Sequence, residues 1–358
     1  MKSTHQLMLG DARDLSAIAN ESVQMVCTSP PYPLIQMWDA LFADLDPTIA
    51  EHLEADEAWE AWERMHQQLD RVYRECFRVL QSGCIAAINM GDATRTVAGD
   101  FQLFPNHARV LRGMRGAGFT PLPDILWRKP TNSPNKFMGS GMLPAGAYVT
   151  YEHEYILVFR KGSKRSFSTP EQKANRRASA FFWEERNRWF SDVWHDVSGA
   201  GQELIAAEAR SRSAAYPVRI PWRLIQMFSV YGDTILDPFL GTGTTLAAAA
   251  ASARNSIGVE LVEALHPGVD AVVRQGAKMG EVWSQKRLVD HDRFLRDREA
   301  AEKPVRHFNE ALERPVMTRQ EAALCLYRAT TVVQPDPQRW VVKHAPVASL
   351  VEQEASHG

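Results

Sequence analysis

Between Thr234 and Ser252 the 358-residue chain has little freedom of fold. Thr234-Ile235-Leu236 reads as a short apolar strand, Asp237-Pro238-Phe239-Leu240-Gly241-Thr242-Gly243 as a tight turn, and the alanine-rich stretch Leu246 to Ser252 as a helix. A strand that feeds a helix through a glycine turn is half of a parallel crossover, and Ser256 to Glu260 supplies the next strand. The expected fold class is α/β. Gly241 and Gly243 let backbone N–H groups approach an anion at a helix N-terminus, where the dipole favours negative charge. Asp237 and Glu260 end successive strands, at the rim where open α/β sheets bind ligands. A dinucleotide fold fits poorly, because Thr244, Thr245 and Leu246 follow Gly243 and G-x-G-x-x-G is absent. A phosphate-loop nucleotidase fits no better, since no lysine follows the glycines.

About two hundred residues earlier, the apolar strand Val23 to Cys27 runs into Thr28-Ser29-Pro30-Pro31-Tyr32. Two prolines stiffen this turn, so the Ser29 hydroxyl, the Pro30 carbonyl and the Tyr32 ring project from the strand end in a preset arrangement that a flat group could dock on. Together with Gly10-Asp11, Arg78 to Gly83 and Asp237 to Thr245, these residues resemble the S-adenosylmethionine-dependent DNA amino-methyltransferases, in the permuted (beta-class) order that puts the base-side motif first. The resemblance covers roughly residues 6 to 262.

That resemblance implies a doubly wound, mostly parallel, seven-stranded, Rossmann-like sheet of the class I methyltransferase kind, S-adenosyl-L-methionine as cofactor, and double-stranded DNA as substrate, in a restriction-modification setting. Asp237 is expected to accept from the cofactor's ammonium and Glu260 from its ribose hydroxyls. Asp11 is expected to read its adenine amine beside Phe239, with Gly241, Gly243, Thr244 and Thr245 forming the turn. Ser29, Pro30 and Tyr32 are the expected catalytic residues: Tyr32 stacks on a flipped base while the Ser29 oxygen and Pro30 carbonyl accept from its amine. Serine before Pro-Pro-Tyr points to cytosine N4 as the target. Adenine N6 is the alternative, and a DNA-binding regulator that keeps the cofactor pocket is the alternative of another class.

Elsewhere the periodicity predicts a strand over Gln6 to Leu9, a short helix over Leu15 to Ala19 that makes a β-α-β unit with Val23 to Cys27, and a long helix over Asp56 to Leu80. Trp59, Trp62, His66, Leu69, Tyr73 and Cys76 line one face of that helix, and Gly83 is expected to end it. Strands are expected over Cys84 to Met90, Ile125 to Trp127 and Tyr151 to Phe159, and helices over Phe104 to Gly116, Pro217 to Tyr231 and Thr318 to Thr330. Residues 129–150 lack periodicity and read as a loop that closes on substrate. Glu152-His153-Glu154 alternates across a strand, so no metal site is expected there.

Net charge is only −2, but it is unevenly spread. Asp39 to Glu63 carries nine acidic residues and no Lys or Arg, while Arg160 to Arg188 carries nine basic and three acidic residues interleaved with Phe and Trp. A polyanion should approach the second region and avoid the first. Four domains follow as expectations. They are 1–160, the base-side part of the catalytic domain; 161–215, a target-recognition region helped by loops at 93–106 and 129–150; 216–265, the cofactor-side part; and 266–358, an extension with no motif. The Trp-bearing acidic segment 39–66 suggests a homodimer contact. Four cysteines without C-x-x-C spacing read as buried thiols. No run of about 18 apolar residues and no signal-peptide pattern occurs, so a cytoplasmic protein with no membrane partner is expected.

Overall fold

The computed structural model describes residues 1–129, 138–198 and 216–347. Strand β1 (Lys2–Leu9) and strand β2 (Val23–Thr28) are joined by turns and not by the expected helix. Arg78 holds this connection by donating to the carbonyls of Leu15 and Ile18, and Glu75 accepts from the Leu15 N–H. A five-residue segment has too few internal hydrogen bonds to nucleate a helix against such partners. The β-α-β unit is therefore not formed; β1 pairs with a strand from the far end of the chain.

Helices α1 (Asp39–Leu45) and α2 (Thr48–Glu54) lead into α3 (Ala58–Val79), which buries Trp62, His66, Leu69, Tyr73 and Cys76 as the spacing predicts. Trp59 is 45% exposed and donates from its indole N–H to Gln102, so Trp62 is committed to the core and Trp59 alone faces outward. Strand β3 (Leu80–Met90) begins directly after α3. Gly83 lies inside this strand and does not cap the helix; its φ of +85° and the Arg165 backbone 2.5 Å from where a Cβ would stand leave room only for glycine.

A hairpin of β4 (Ala93–Val97) and β5 (Asp100–Phe104), not anticipated, precedes α4 (Asn106–Ala117). There follow β6 (Thr120–Pro121), β7 (Ile125–Arg128), the small pair β8 (Met138–Gly139) and β9 (Ala147–Tyr148), and β10 (His153–Arg160). Next come α5 (Pro170–Ala178), α6 (Trp183–Trp189), β11 (Val193–Trp194), α7 (Arg219–Phe228), β12 (Thr234–Asp237), α8 (Thr244–Ala251) and β13 (Asn255–Glu260). The chain continues with the 35-residue α9 (His266–Ala300), β14 (His307–Asn309), β15 (Arg314–Val316), β16 (Tyr327–Asp336) and β17 (Arg339–Pro346).

Seven strands run in the order β7-β10-β3-β2-β12-β13-β1, and β3 to β1 along this path are mutually parallel. This is the mostly parallel sheet expected. The short β6 and β11 and the hairpin β16–β17 extend it to eleven strands. Helices α1 to α4 cover one face, with Trp62, Leu69, Val79 and Phe104 in its core. On the other face Trp189, Trp222, Ile225 and the alanines of α8 form a second core. Those alanines are fully buried because α9 lies directly on them: a Cβ on Gly276 would stand 2.5 Å from the Ala247 Cα.

The expected helix from Thr318 to Thr330 is a single turn, Glu321–Ala323. No side chain caps its start; Glu321 instead accepts from the Thr318 N–H and hydroxyl at 2.7 Å each. The β-branched run Thr330 to Val333 instead pairs with β17, whose other side pairs with β1. The chain beyond residue 266 thus completes the sheet.

His291 on α9 fastens this C-terminal part. It is fully buried, with Nδ1 2.8 Å from Glu184 Oε1 and Nε2 2.8 Å from the Pro315 carbonyl. Both ring nitrogens face acceptors, which only the imidazolium can satisfy. Burial works to lower its pKa, but the Glu184 carboxylate and the Pro315 carbonyl together hold it above the ordinary value of 6.5. A histidine raised on folding contributes stability that is complete below pH 6.5 and is lost as pH climbs through the raised value. Charge-assisted hydrogen bonds of this kind contribute about 1.5–3 kcal/mol. We therefore expect thermal stability to fall from pH 6 to pH 9, and His291→Gln to lose most of that dependence in melts followed by circular dichroism.

Candidate active site

A cavity of about 820 Å³ opens at the carboxyl ends of the parallel strands. Its walls are Gly10 and Asp11 after β1, Ser29 to Tyr32 after β2, Pro238 to Thr242 and Thr244 after β12, and Glu260 at the end of β13. Among the described residues no helix is long and apolar enough to cross a membrane.

On one side lies the glycine turn. Gly241 and Gly243 have φ of 56° and 95°, a region that side chains disfavour. Glu260 closes the turn from below: its Oε2 accepts from the Gly241 N–H at 2.6 Å and its Oε1 from the Val262 N–H at 2.8 Å. Burial raises the Glu260 carboxyl, with these N–H groups opposing. Asp11 lies on the lining with its carboxylate bound to Arg13 Nε at 2.7 Å and the Arg13 N–H at 2.8 Å. Burial works to raise that carboxyl, but the hydrogen bonds and charge of Arg13 outweigh it and hold it below the usual range.

Asp237 stands behind the wall. It is 1% exposed, and its oxygens accept from Thr28 Oγ1 at 2.6 Å, Thr245 Oγ1 at 2.5 Å and the Phe239 N–H at 3.0 Å. Burial pushes its carboxyl up to about 6 in spite of the three donors. Of the residues expected to hold a cofactor, Asp11, Phe239, Gly241, Thr244 and Glu260 reach the cavity, whereas Asp237, Gly243 and Thr245 support it from the second layer.

On the other side Tyr32 donates to Glu154 Oε2 at 3.0 Å, while Asn89 Nδ2 donates to the Tyr32 oxygen at 2.7 Å. Ser29 Oγ lies 3.1 Å from the same oxygen. The phenol proton is committed to the carboxylate, so the Ser29 O–H points at Tyr32 and the Ser29 lone pairs are turned away from it. Burial and the neighbouring Glu154 raise the Tyr32 phenol well above its ordinary value. Gly91 makes room for the ring, since a Cβ there would stand 2.9 Å from Tyr32 Cε2. Lys129 Nζ completes the group, 2.8 Å from Glu154 Oε1.

Two buried acceptors near the cavity, Thr242 Oγ1 and Asn89 Oδ1, have no protein partner. The sequence alone assigns no role to Glu154, Thr28 or Tyr216, whereas Asn89 is legible as a polar residue ending an apolar strand at the ligand rim. The signal for Glu154 is a carboxylate inside an apolar strand, which by itself names no partner; Tyr216, 2.8 Å from Thr245 Oγ1, offers none.

The basic segment sits elsewhere. Lys164, Arg165, Phe167, Lys173, Arg176, Arg177 and Arg186 line a groove with Gly83 to Ile85 and Ser229 to Val230. These are the amino ends of β3 and β12, opposite the cavity. Phe182, Trp189 and Trp194 are buried core residues, not free stacking platforms. The chain returns to the cavity end through β11, which is parallel to β7. Residues 199–215 of the expected target-recognition region, and 130–137 of the expected substrate loop, lie outside the described residues.

Residues 23–268 match the profile of a family described as DNA methylase, N6- and N4-directed. The chain is 45% identical over 332 residues to the type II methyltransferase M.MthZI of Methanothermobacter thermautotrophicus, covering 92% of each. It is 48% identical over 279 residues to the type II methyltransferase M.MjaI of Methanocaldococcus jannaschii, covering 75% of this chain and 90% of the relative. Among solved structures, TTHA0409 of Thermus thermophilus in complex with S-adenosyl-L-methionine is similar with a TM-score of 0.59 and 32% identity, over 76% of this chain and 94% of that one. The PvuII cytosine-N4-specific DNA methyltransferase shares the fold at 17% identity and a TM-score of 0.52, over 75% of this chain and 86% of that one.

Proposed function

The chain belongs to the N6/N4 DNA methylase family, an S-adenosylmethionine-dependent DNA methyltransferase, and we propose that its target is the exocyclic N4 amine of a cytosine extruded from double-stranded DNA. One observation carries the reading of the site. The hydrogen bond from Thr28 to Asp237 joins the Ser-Pro-Pro-Tyr turn to the glycine turn across 209 positions, so both flank one cavity.

The fit to the cofactor rests on the chain's own groups. The partnerless Thr242 hydroxyl, the glycines at positive φ and the carboxylate of Glu260 suit a ligand with polar ends, in a wall that includes the apolar Phe239, Leu240, Val259 and Leu265. Bound there, S-adenosylmethionine supplies a methyl group on a positively charged sulfur. Asp11, Phe239, Gly241, Thr244 and Glu260 are the residues proposed to touch it. Asp237 acts as a strut that holds the two turns together, because its oxygens are already taken by Thr28, Thr245 and Phe239.

Tyr32 is proposed to stack on the extruded base, returning roughly 1–3 kcal/mol of the few kcal/mol that extrusion costs. The outward lone pairs of Ser29 and the Pro30 carbonyl accept the amine's hydrogens, which frees the nitrogen lone pair and orients it. What favours cytosine over adenine is the resemblance: in this family serine before Pro-Pro-Tyr goes with cytosine N4. Target reading falls to the loops around 93–106 and 138–150 and to the chain after Trp194, since the part of 161–190 that lines the groove lies at the other end of the sheet.

Digesting genomic DNA after incubation with methyl-labelled cofactor, and separating the nucleosides, tests the proposal. The expected product is N4-methylcytosine. Label in N6-methyladenine would move the target to adenine, and cofactor binding with no label in DNA would favour a regulator.

A further inference from the structure

The groove at the amino ends of β3 and β12 is not needed by the base pocket, yet it is built for a polyanion. Six cations on its lining, Arg160, Lys164, Lys173, Arg176, Arg177 and Arg186, have no carboxylate partner among the described residues. The seventh, Arg165, is bound to Asp233 at 2.7 Å. One carboxylate lines the groove, Glu321, and it is spent on the Trp183 N–H and on Thr318. The guanidinium groups of Arg165 and Arg176 both lie over the Phe167 ring, at 4.8 and 4.9 Å, and Phe190 lies under Arg186 at 5.5 Å. Guanidinium groups splayed on rings are pre-oriented and weakly hydrated, which suits phosphate oxygens.

We infer that this groove holds the phosphate backbone of a second DNA segment, one that does not carry the target base. From Cys84 to Met90, β3 rises about 20 Å at about 3.3 Å per residue, so the groove and Tyr32 lie at opposite ends of the sheet. A duplex is no wider than that, and a straight one engaged at the cavity runs across the rim and not down the sheet. The groove therefore meets neighbouring DNA, and its use is to keep the enzyme on long molecules between targets. The inference rests on the DNA substrate proposed above.

The test uses the full chain with Lys173, Arg176 and Arg177, all exposed on α5, replaced together by alanine. Binding to a duplex without the target sequence is measured against salt. The slope of log K on log salt should shrink by about 2–3, close to 0.9 for each phosphate no longer neutralised. Turnover on a short duplex covering one target should be unchanged, and turnover on plasmid DNA should fall several-fold. An unchanged slope overturns the inference. An equal loss on the short duplex also overturns it, because the groove would then hold the target duplex itself. Loss of self-association with an unchanged slope would assign the groove to the acidic stretch of a second copy. A changed slope in a protein that transfers no methyl group would sink the methyltransferase reading and leave this one standing.

Discussion

Asp237→Asn should retain cofactor binding within a few-fold, while Asp237→Ala should weaken it and cut methyl transfer by about a hundredfold or more. In the wild type three donors converge on a carboxylate that is 1% exposed. Alanine leaves the Thr28 hydroxyl and the Phe239 N–H buried without an acceptor, at about 1–3 kcal/mol each. Thr245 fares better, because its hydroxyl can turn to the Cys27 carbonyl or to Tyr216. The base turn and the glycine turn then lose the short Thr28–Asp237 link between them, and a 1 Å misalignment of reacting groups costs about 10²-fold in rate.

Asparagine behaves differently because it keeps Oδ1 for Thr28 and Phe239 and can donate from Nδ2 to Thr245. It also removes a buried charge. A carboxyl held at about 6 against an ordinary 3.8 costs the folded protein about 3 kcal/mol at neutral pH. The sign follows from the raised value: the penalty is absent below pH 3.8, grows as pH rises to about 6, and is constant above. Asp237→Asn should therefore melt higher than the wild type at pH 7, with the gap closing towards pH 4. Calorimetric titration with S-adenosylmethionine decides the role. Should asparagine abolish binding as fully as alanine, the carboxylate contacts the ligand's ammonium directly and the strut reading is wrong.

The strand-and-turn skeleton of this site is legible in the sequence because it is local. Thr234 to Ser252 forms its strand, turn and helix from apolar runs, glycines and alanines that need no distant partner, and Ser29-Pro30-Pro31-Tyr32 stiffens itself. Expectation and structure part where a distant partner decides. Leu15 to Ala19 has a helical look, but Arg78 and Glu75 take its backbone groups. Thr318 to Thr330 reads as a capped helix, yet Thr318 spends its hydroxyl as a donor to Glu321 and the chain after it pairs with β17. Charge misleads in the same way: the run from Arg160 to Arg188 is basic, but a local sum says nothing about which end of the sheet it faces. Glu154 is visible only as a polar residue in an apolar strand, and its meaning depends on Tyr32, which lies 122 positions away.

That pairing sets up the second large effect, in which Tyr32→Ala lowers kcat/KM for DNA by about ten- to a hundredfold, equivalent to losing roughly 1–3 kcal/mol of stacking. Cofactor affinity should barely change, because Tyr32 makes none of the contacts that shape the glycine turn. Tyr32→Phe separates ring from hydroxyl. The ring stays, and Glu154 keeps Asn89 at 2.7 Å and Lys129 at 2.8 Å, so folding is little affected. What is lost is the acceptor that turns the Ser29 proton inward. Glu154→Gln should act through the same path: an amide can donate to the Tyr32 oxygen, the phenol proton can swing to Ser29, and the serine lone pairs no longer face the substrate amine. Both variants should lower kcat more than they raise KM, whereas Tyr32→Ala should change both. Gly91→Ala gives a control through shape alone, since its Cβ would stand 2.9 Å from the Tyr32 ring and must displace it. If Tyr32→Phe and Glu154→Gln transfer methyl at the wild-type rate, the hydroxyl chain from Glu154 to Ser29 plays no part in presenting the amine.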